Sequence, residues 1–436
     1  LVEEGEAWST FPSGQANDTS INGCGAEYVP TDNELRAIYA HQGSSALHDA
    51  IGWPVSRFYI SNTVADTFTQ TFTYDVVSLK TGDETQMPSS GGALLSCRTT
   101  PVAVASQIIV EANDTAQFVK VDDTLSALKV KKGEDAVIRV VTKNAQGNSV
   151  PNVPFILRRE GSKNRQNAEM INKSITVINA AGASARMNSS SSLLYGVTGA
   201  DGTTSFTVKQ DDSMGLVTNM YAQLYQLTIE SNKLPVMFTV ITSPDTPLAS
   251  YWGHMPETFT TRSGIAFKRP LLTAEHPAGQ STMANNESWL SLNTAAKNDV
   301  SKSDCGEPYQ PLLSEFQELY SEHPNGAIGT DLGLPLTNTW WAYDKIAYAN
   351  VWYDQSINLS NGSSSRALSN TVAFVSCLVN PHAVAASIEM TSTALDAEKT
   401  ASNDGRPSAT AAKGTAIRMT VIVRDSAGNL LPGANF

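Results

Sequence analysis

At 436 residues the chain is too long for one ordinary hydrophobic core, and two to four domains are expected. A formal net charge of −12 excludes nucleic acid as a partner, because displacing counterions from phosphates needs clustered Lys and Arg, and no run of 18 apolar residues offers a membrane-crossing helix. With 41% apolar and only 17% charged residues among many Ser, Thr, Asn and Gly, the composition suits sheets and turns.

The N-terminal LVEEGEAWST lacks the basic-then-apolar order of a signal peptide. The chain opens without methionine and closes inside a repeated pattern, so a segment of a longer protein is expected. The first element signal is CGAEYVPTDNELRAIY, residues 24 to 39. Thr31 and Glu34 have the spacing of a capping box, in which each side chain accepts from the other's unpaired N–H, and Leu35, Ile38 and Tyr39 share one face of the helix that follows. TFTQTFTYDVV, 67 to 77, alternates cleanly and predicts a half-buried strand leading toward Cys97. Helix first, strands after and a cysteine at either end make residues 1–102 an α+β module.

The composition changes at TTPVAVASQI, 99 to 108. AVIRVVTKN has β-branched residues in alternation before the turn AQGN, TGADGTTSFTVKQ (198 to 210) sets Asp-Gly before an alternating run, and LPVMFTVIT (234 to 242) reads as a closing strand. Residues 103–245 therefore read as a β-sandwich of immunoglobulin type, without the Cys, Trp, Cys staple. Two prolines in ITSPDTPLASYWGHM, 241 to 255, mark a linker.

Beyond it the pattern returns. CGEPYQPLLSEFQELY, 305 to 320, repeats the opening stretch at an offset of 281, with Tyr28 on Tyr309, Pro30 on Pro311, Glu34 on Glu315 and Tyr39 on Tyr320. Leu312 stands where the first copy has Thr31, so the cap is not expected there. After a one-residue deletion Gly82 falls on Gly362 and Cys97 on Cys377, and KKGEDAVIRVVTKNAQGNSVPNVPF (131 to 155) falls on AKGTAIRMTVIVRDSAGNLLPGANF (412 to 436). Residues 246–382 are thus a second α+β module and 383–436 the start of a second immunoglobulin-like one, within a long tandem repeat.

Cys24 and Cys97 lie 73 positions apart and Cys305 and Cys377 lie 72 apart, which is not the spacing of metal ligands. A catalytic thiol would need a base, and the histidines occupy no matching positions in the two copies. One disulfide in each module accounts for the even count and the near-equal loops and implies an oxidising, extracytoplasmic setting; free structural thiols are the alternative. The aromatic stretch TWWAYDKIAYANVWYD, 339 to 354, is sorted by its first copy. Trp340, Trp341, Tyr348 and Trp352 fall on Tyr59, Ile60, Phe68 and Phe72, and read as core. Tyr343 and Tyr353 fall on Asn62 and Thr73, so they read as surface tyrosines and as candidate ligand contacts. No HExxH, GxSxG, Walker loop or GxGxxG after a strand is present, and acids such as Asp122 and Asp123 sit in polar turns; no catalytic group, metal site or cofactor is expected.

CGAEYVPTDNELRAIYAHQG with its late partner cysteine resembles the C-type lectin-like domain of intimin and invasin adhesins. YWGHMPETFT, FKRPLL and the LLSC and FVSC endings look like the long repeat-bearing enterobacterial adhesins of the RatA and RatB kind, and the strand-and-turn pattern is similar to the bacterial immunoglobulin-like repeats of the same stalks. The resemblance implies a mostly β, multidomain chain in which immunoglobulin-like sandwiches alternate with α+β C-type lectin-like modules. It implies a cell-surface adhesin segment, anchored in the outer membrane by a β-barrel outside this stretch, that meets a host cell-surface protein or glycan. Only EPY (307 to 309) and WYD (352 to 354) stand near the family's calcium-dependent sugar motifs, so that mode of binding is not expected. A stalk spacer carrying a distal tip is the second reading and a secreted carbohydrate-active enzyme the third. Repetition favours the first two, because reach and avidity gain from copies where an active site does not.

Overall fold

The capping box at the first helix forms: Glu34 N–H donates to Thr31 Oγ1 at 3.2 Å and Thr31 N–H donates to Glu34 Oε2 at 2.9 Å. The helix, α1, runs Asp32–Gln42, and Leu35 is buried against Tyr59, Val77, Leu79 and Leu94, with Ile38 and Tyr39 at the edge of that cluster. This is a computed structural model. It describes residues 2–3, 6–13, 24–42, 49, 51–65, 68, 70, 72–211, 214–225, 228–277, 279–303, 305–349, 351–368, 370–383, 385–393, 399–401, 407–409, 413–414 and 416–430. The chain divides into two compact units, Leu1–His254 and Met255–Phe436.

In the first unit α1 lies on a three-stranded antiparallel sheet of β1 (Phe58–Ala65), β2 (Thr73–Ser78) and β3 (Glu84–Pro88). The strand read over 67–77 is shorter than its alternation suggested. Only Thr73–Ser78 joins the sheet, and Phe68 and Phe72 lie in the hairpin tip between β1 and β2; residues 67, 69 and 71 are outside the described set. Their apolar character serves a different partner, treated below.

The immunoglobulin-like module of the first unit comprises β4 (Gln107–Ala112), β5 (Phe118–Lys120), β6 (Ser126–Val130), β7 (Ala136–Lys143), β8 (Pro154–Lys163), β9 (Ile175–Asn179), β10 (Ser184–Met187), β11 (Leu193–Val197), β12 (Thr203–Gln210), β13 (Leu216–Leu224) and β14 (Leu234–Phe238). They form a six-stranded sheet, β11-β8-β13-β14-β6-β5, and a five-stranded sheet, β10-β9-β12-β7-β4. Alternate residues of both, among them Val110, Ile138, Val140, Phe155, Leu157, Phe206 and Val236, build one core. The run read as a single closing strand is two. The first piece ends at Phe238, Thr239 turns its hydroxyl onto Val130 O at 3.2 Å, and Val240 leaves the sheet with its N–H on Trp252 O at 3.1 Å.

The second unit repeats the helix on a larger sheet. β15 (Gln280–Ala284), β16 (Glu287–Asn293), β17 (Trp340–Tyr348), β18 (Val351–Asn358), β19 (Ser363–Arg366) and β20 (Val372–Phe374) are ordered β15-β16-β20-β17-β18-β19. Helix α2 (Leu313–Glu322) buries Phe316 and Leu319, with the Phe316 ring 5.5 Å from Phe267 and 6.3 Å from Trp340. Contrary to the expectation, half of the cap survives: Leu312 N–H donates to Glu315 Oε2 at 2.7 Å, because Glu315 needs only a backbone donor. After the module, β21 (Ser387–Thr393) pairs antiparallel with β22 (Arg418–Arg424).

Two recurring matches have one cause. A Cβ on Gly82 would stand 2.4 Å from the Tyr39 ring and one on Gly362 would stand 2.5 Å from the Tyr320 ring, and both glycines have left-handed backbone, φ +77 and +75. A helix tyrosine lying on a turn glycine thus closes each module. Gly362→Ala combines left-handed strain of about 1–3 kcal/mol with that collision, whereas Gly264→Ala at φ +94 meets no neighbour and carries the strain alone. Chemical denaturation of the two variants is expected to show the larger loss at Gly362, and equal losses would show that the tyrosine yields.

Candidate functional site

Each α+β module is closed at its base in the same way. Cys24 joins Cys97 with Cα atoms 5.7 Å apart, and Cys305 joins Cys377 at 5.5 Å. Beside the first bond Arg98 N–H donates to Tyr28 O (2.6 Å) and Val102 N–H to Glu27 O (2.8 Å). Beside the second, Leu378 N–H donates to Tyr309 O (2.7 Å) and His382 N–H to Pro308 O (2.6 Å). The carboxylate at the helix start meets a basic side chain in both, Arg98 on Glu34 at 3.3 Å and the His382 imidazole on Glu315 at 3.1 Å.

The β17–β18 hairpin carries the candidate ligand contacts. Tyr343 is half-buried at the bulge between Trp341 and Lys345; its N–H donates to Pro311 O at 2.8 Å, as Asn62 does to Pro30 O at 2.9 Å, and its ring lies 6.4 Å from His382. Tyr353, also half-buried, belongs to another group. Pairing places Ile346 opposite Tyr353 and Tyr348 opposite Val351, so these four share one face of the hairpin. The Tyr348 and Tyr353 rings meet edge to face at 6.4 Å, and the Arg366 guanidinium stands 3.7 Å above Tyr348 and 5.8 Å from Tyr353. At the corresponding pair in the first copy Thr73 donates to Gln86 at 3.2 Å, so the aromatic and cationic group belongs to the second module. Arg366 was missed in the sequence; its signal is its cross-strand position beside Gln355, matching Gln86 beside Asp75.

Two of the core assignments fail. Trp340 and Trp341 are buried as expected, but Tyr348 is 56% and Trp352 54% exposed, where Phe68 and Phe72 are buried. The reason is the partner. In the first unit the hairpin tip meets the immunoglobulin-like module: the Phe72 ring makes T-shaped contacts with Tyr195 (5.1 Å) and Tyr225 (4.6 Å), Val64 and Tyr74 join that cluster, and Phe68 stacks on Phe206 at 6.3 Å while accepting from Tyr195 N–H at 2.9 Å. The left-handed residue at the tip is Phe68 (φ 52) in one copy and Ala349 (φ 48) in the other, so by conformation Ala349 is the counterpart of Phe68, and Tyr348 turns to the opposite face.

Other concave surfaces offer less. A groove of about 600 Å³ on the immunoglobulin-like module is lined by Asp122, Glu160, Lys163, Arg165 and Trp252, but Arg165 already lies over the Trp252 ring at 4.7 Å and bonds Asp245 at 2.8 Å. Among the described residues no three His, Cys, Asp or Glu converge as metal ligands, and no helix is long and apolar enough to cross a membrane.

Two titrations distinguish the copies. Burial, with Glu84 and Asp32 nearby, pushes the Asp75 carboxyl up to about 6, so the folded state holds its proton and stability falls as pH rises from the ordinary carboxylate range through about 6. The Glu315 carboxylate raises His382 above its usual value near 6.5; the contribution of this pair is complete below that value and is lost as pH rises through the folded pKa. Asp75→Asn is expected to flatten the decline of thermal stability between about pH 4 and pH 6 and His382→Gln the decline above about pH 6.5, and a profile unchanged by either substitution would contradict the assignment.

Comparison with known proteins places this geometry. The InvE adhesion-domain model matches residues 1–98 and 244–378, and the bacterial immunoglobulin-like 21 model matches 133–241. The structure of the Yersinia pseudotuberculosis adhesin InvE shares the fold, with TM-score 0.52 and 23% identity over 74% of this chain and 85% of that one. The Escherichia coli adhesin FdeC aligns over 83% of this chain and 71% of its own at 9% identity and TM-score 0.21, and the D00-D0 domain of intimin over 38% and 62% at 15% and 0.18. No curated protein matches the chain. With the adhesion-domain model covering more than half of its residues in two copies, the chain belongs to the InvE adhesion-domain family and is an invasin/intimin-type adhesin segment with an immunoglobulin-like module.

Proposed function

We propose that this adhesin segment attaches its cell to a protein or glycan on a host or neighbouring cell through the second α+β module, with Tyr353, Tyr348 and Arg366 as the contact and Tyr343 at its margin. The supporting observation is the exposed aromatic and cationic face, which the first copy replaces with Thr73 and Gln86. Tyrosine and arginine offer large contact area with few rotatable bonds and a fixed donor fork, the chemistry that dominates binding surfaces. In this reading modules of lectin-like type span 1–102 and 246–382 and immunoglobulin-like ones 103–245 and 383–436, all displayed on the bacterial surface by an outer-membrane barrel elsewhere in the protein, with no catalytic role.

A stalk spacer is the second reading, supported by the packing of Phe72 on Tyr195 and Tyr225, which couples one module to the next as a rod requires. Beads coated with the whole chain decide between them. The first reading expects adhesion to epithelial cells or retention on a glycan array, reduced at least tenfold, about 1.4 kcal/mol, by Tyr353→Ala with Arg366→Ala. Beads that bind no better than bare ones favour the spacer, and binding that is indifferent to the double variant overturns the contact assigned to Tyr353 and Arg366.

A further inference from the structure

In the first unit the six-stranded sheet of the immunoglobulin-like module contacts two elements, the five-stranded sheet across the core and the hairpin tip at its β11 edge, where Tyr195 N–H donates to Phe68 O. Its inner residues, Phe155, Leu157 and Leu194 among them, pack on the five-stranded sheet. On its other side Tyr195 and Tyr225 hold Phe72 of the hairpin tip.

The second unit contains counterparts of the hairpin and of two strands of the five-stranded sheet. β21 and β22 keep the register of β4 and β7: Ser387 faces Arg424 as Gln107 faces Lys143, and Met390 faces Val421 as Val110 faces Val140. The turn that follows is also the same. Asp425 Oδ1 accepts from Ala427 and Asn429 N–H as Asn144 Oδ1 accepts from Gln146 and Asn148 N–H. Yet Ile388, Met390 and Met419, which stand where Ile108, Val110 and Ile138 are buried, are 59%, 61% and 61% exposed. Trp352, in the place of fully buried Phe72, is likewise exposed. Two separate apolar surfaces of this unit therefore have buried precedents in the same chain, and in both precedents the burying element is one six-stranded sheet.

We propose that Trp352 and the Ile388, Met390 and Met419 face are two contact surfaces for a single occupant, the six-stranded sheet of an immunoglobulin-like module like that of residues 103–245. It carries an aromatic pair equivalent to Tyr195 and Tyr225, which receives the Trp352 indole as that pair receives Phe72. The seat is narrower than in the first unit. Lys345 and Asp354 pair across the hairpin where Val64 and Tyr74 form the aromatic cluster, and Asp354 Oδ1 lies 3.3 Å from the buried Lys297 ammonium, so among the described residues of the hairpin Trp352 is the one large apolar group on that face. Tyr348, Tyr353 and Arg366 project from the opposite face and stay open to solvent. Docking is thus independent of the ligand contact proposed above.

The repeat register gives the test. Because Phe436 aligns with Phe155, residues 156–245 joined after Phe436 supply a matching sheet. Hydroxyl-radical labelling, read residue by residue by mass spectrometry, is compared between the 436-residue chain and the extended one, with Phe72 and Met220 as buried references in both. Labelling is expected to fall severalfold at Trp352, Met390 and Met419 and to stay unchanged at Tyr348 and Tyr353. Changing the appended copies of Tyr195 and Tyr225 to Ala is expected to restore labelling at Trp352 while Met390 and Met419 remain protected. Unchanged labelling at Trp352 overturns the hairpin contact, unchanged labelling at the two methionines overturns the strand contact, and protection of Tyr353 would show that the sheet sits on the other face.

Discussion

The α+β modules depend on a clasp that joins the turn after one cysteine to the extended segment after the other. A disulfide over a loop of this length stabilises by about 4 kcal/mol in the chain-entropy picture. Two backbone hydrogen bonds beside it align the segments, from Arg98 and Val102 in one copy and from Leu378 and His382 in the other. With the ends tied, the helix start is fixed by a carboxylate that caps its own backbone and meets a basic side chain from the segment after the second cysteine. The helix then lays a tyrosine on the turn glycine of the sheet. Clasp, cap and glycine seat recur in both copies although the sheets between them have three strands in one and six in the other.

From that base each module projects a hairpin with two unlike faces. Strand alternation puts Phe72, Val64 and Tyr74 on one face of the first hairpin, where the immunoglobulin-like module buries them, and leaves Thr73 on the other. The same alternation in the second hairpin separates Trp352 from Tyr348 and Tyr353. One face can therefore serve assembly of the stalk while the other meets a ligand. Divergence of the exposed face, Thr73 and Gln86 against Tyr353 and Arg366, changes what the surface can bind without touching the face that joins modules. This division reconciles binding with spacing, since a module docked along a rod still presents its outer face.

Much of this was legible in the residues. Repetition at an offset of 281, shortened by one residue after the deletion, paired the cysteines, the glycines and the helix tyrosines, because each pair answers to a local requirement that any copy must meet. The strands of the immunoglobulin-like module were legible for the same reason, their alternation and Asx turns being short-range. Burial in the hairpins was not legible, because a phenylalanine and a tryptophan at matched positions look alike in sequence while their partner lies more than a hundred residues away. Tyr343 and Tyr353 were grouped as exposed tyrosines, but the bulge after Trp341 sends Tyr343 toward His382 and only Tyr353 toward Arg366.

The sequence by itself determined the modular order, the composition of each staple and the sheets, since these follow from spacing, periodicity and turn chemistry within a few residues. Tertiary structure alone decided which hairpin face is covered and which carries a cation over aromatic rings. That choice rests on cross-strand register and on packing between modules, and both are set by contacts far apart in the chain.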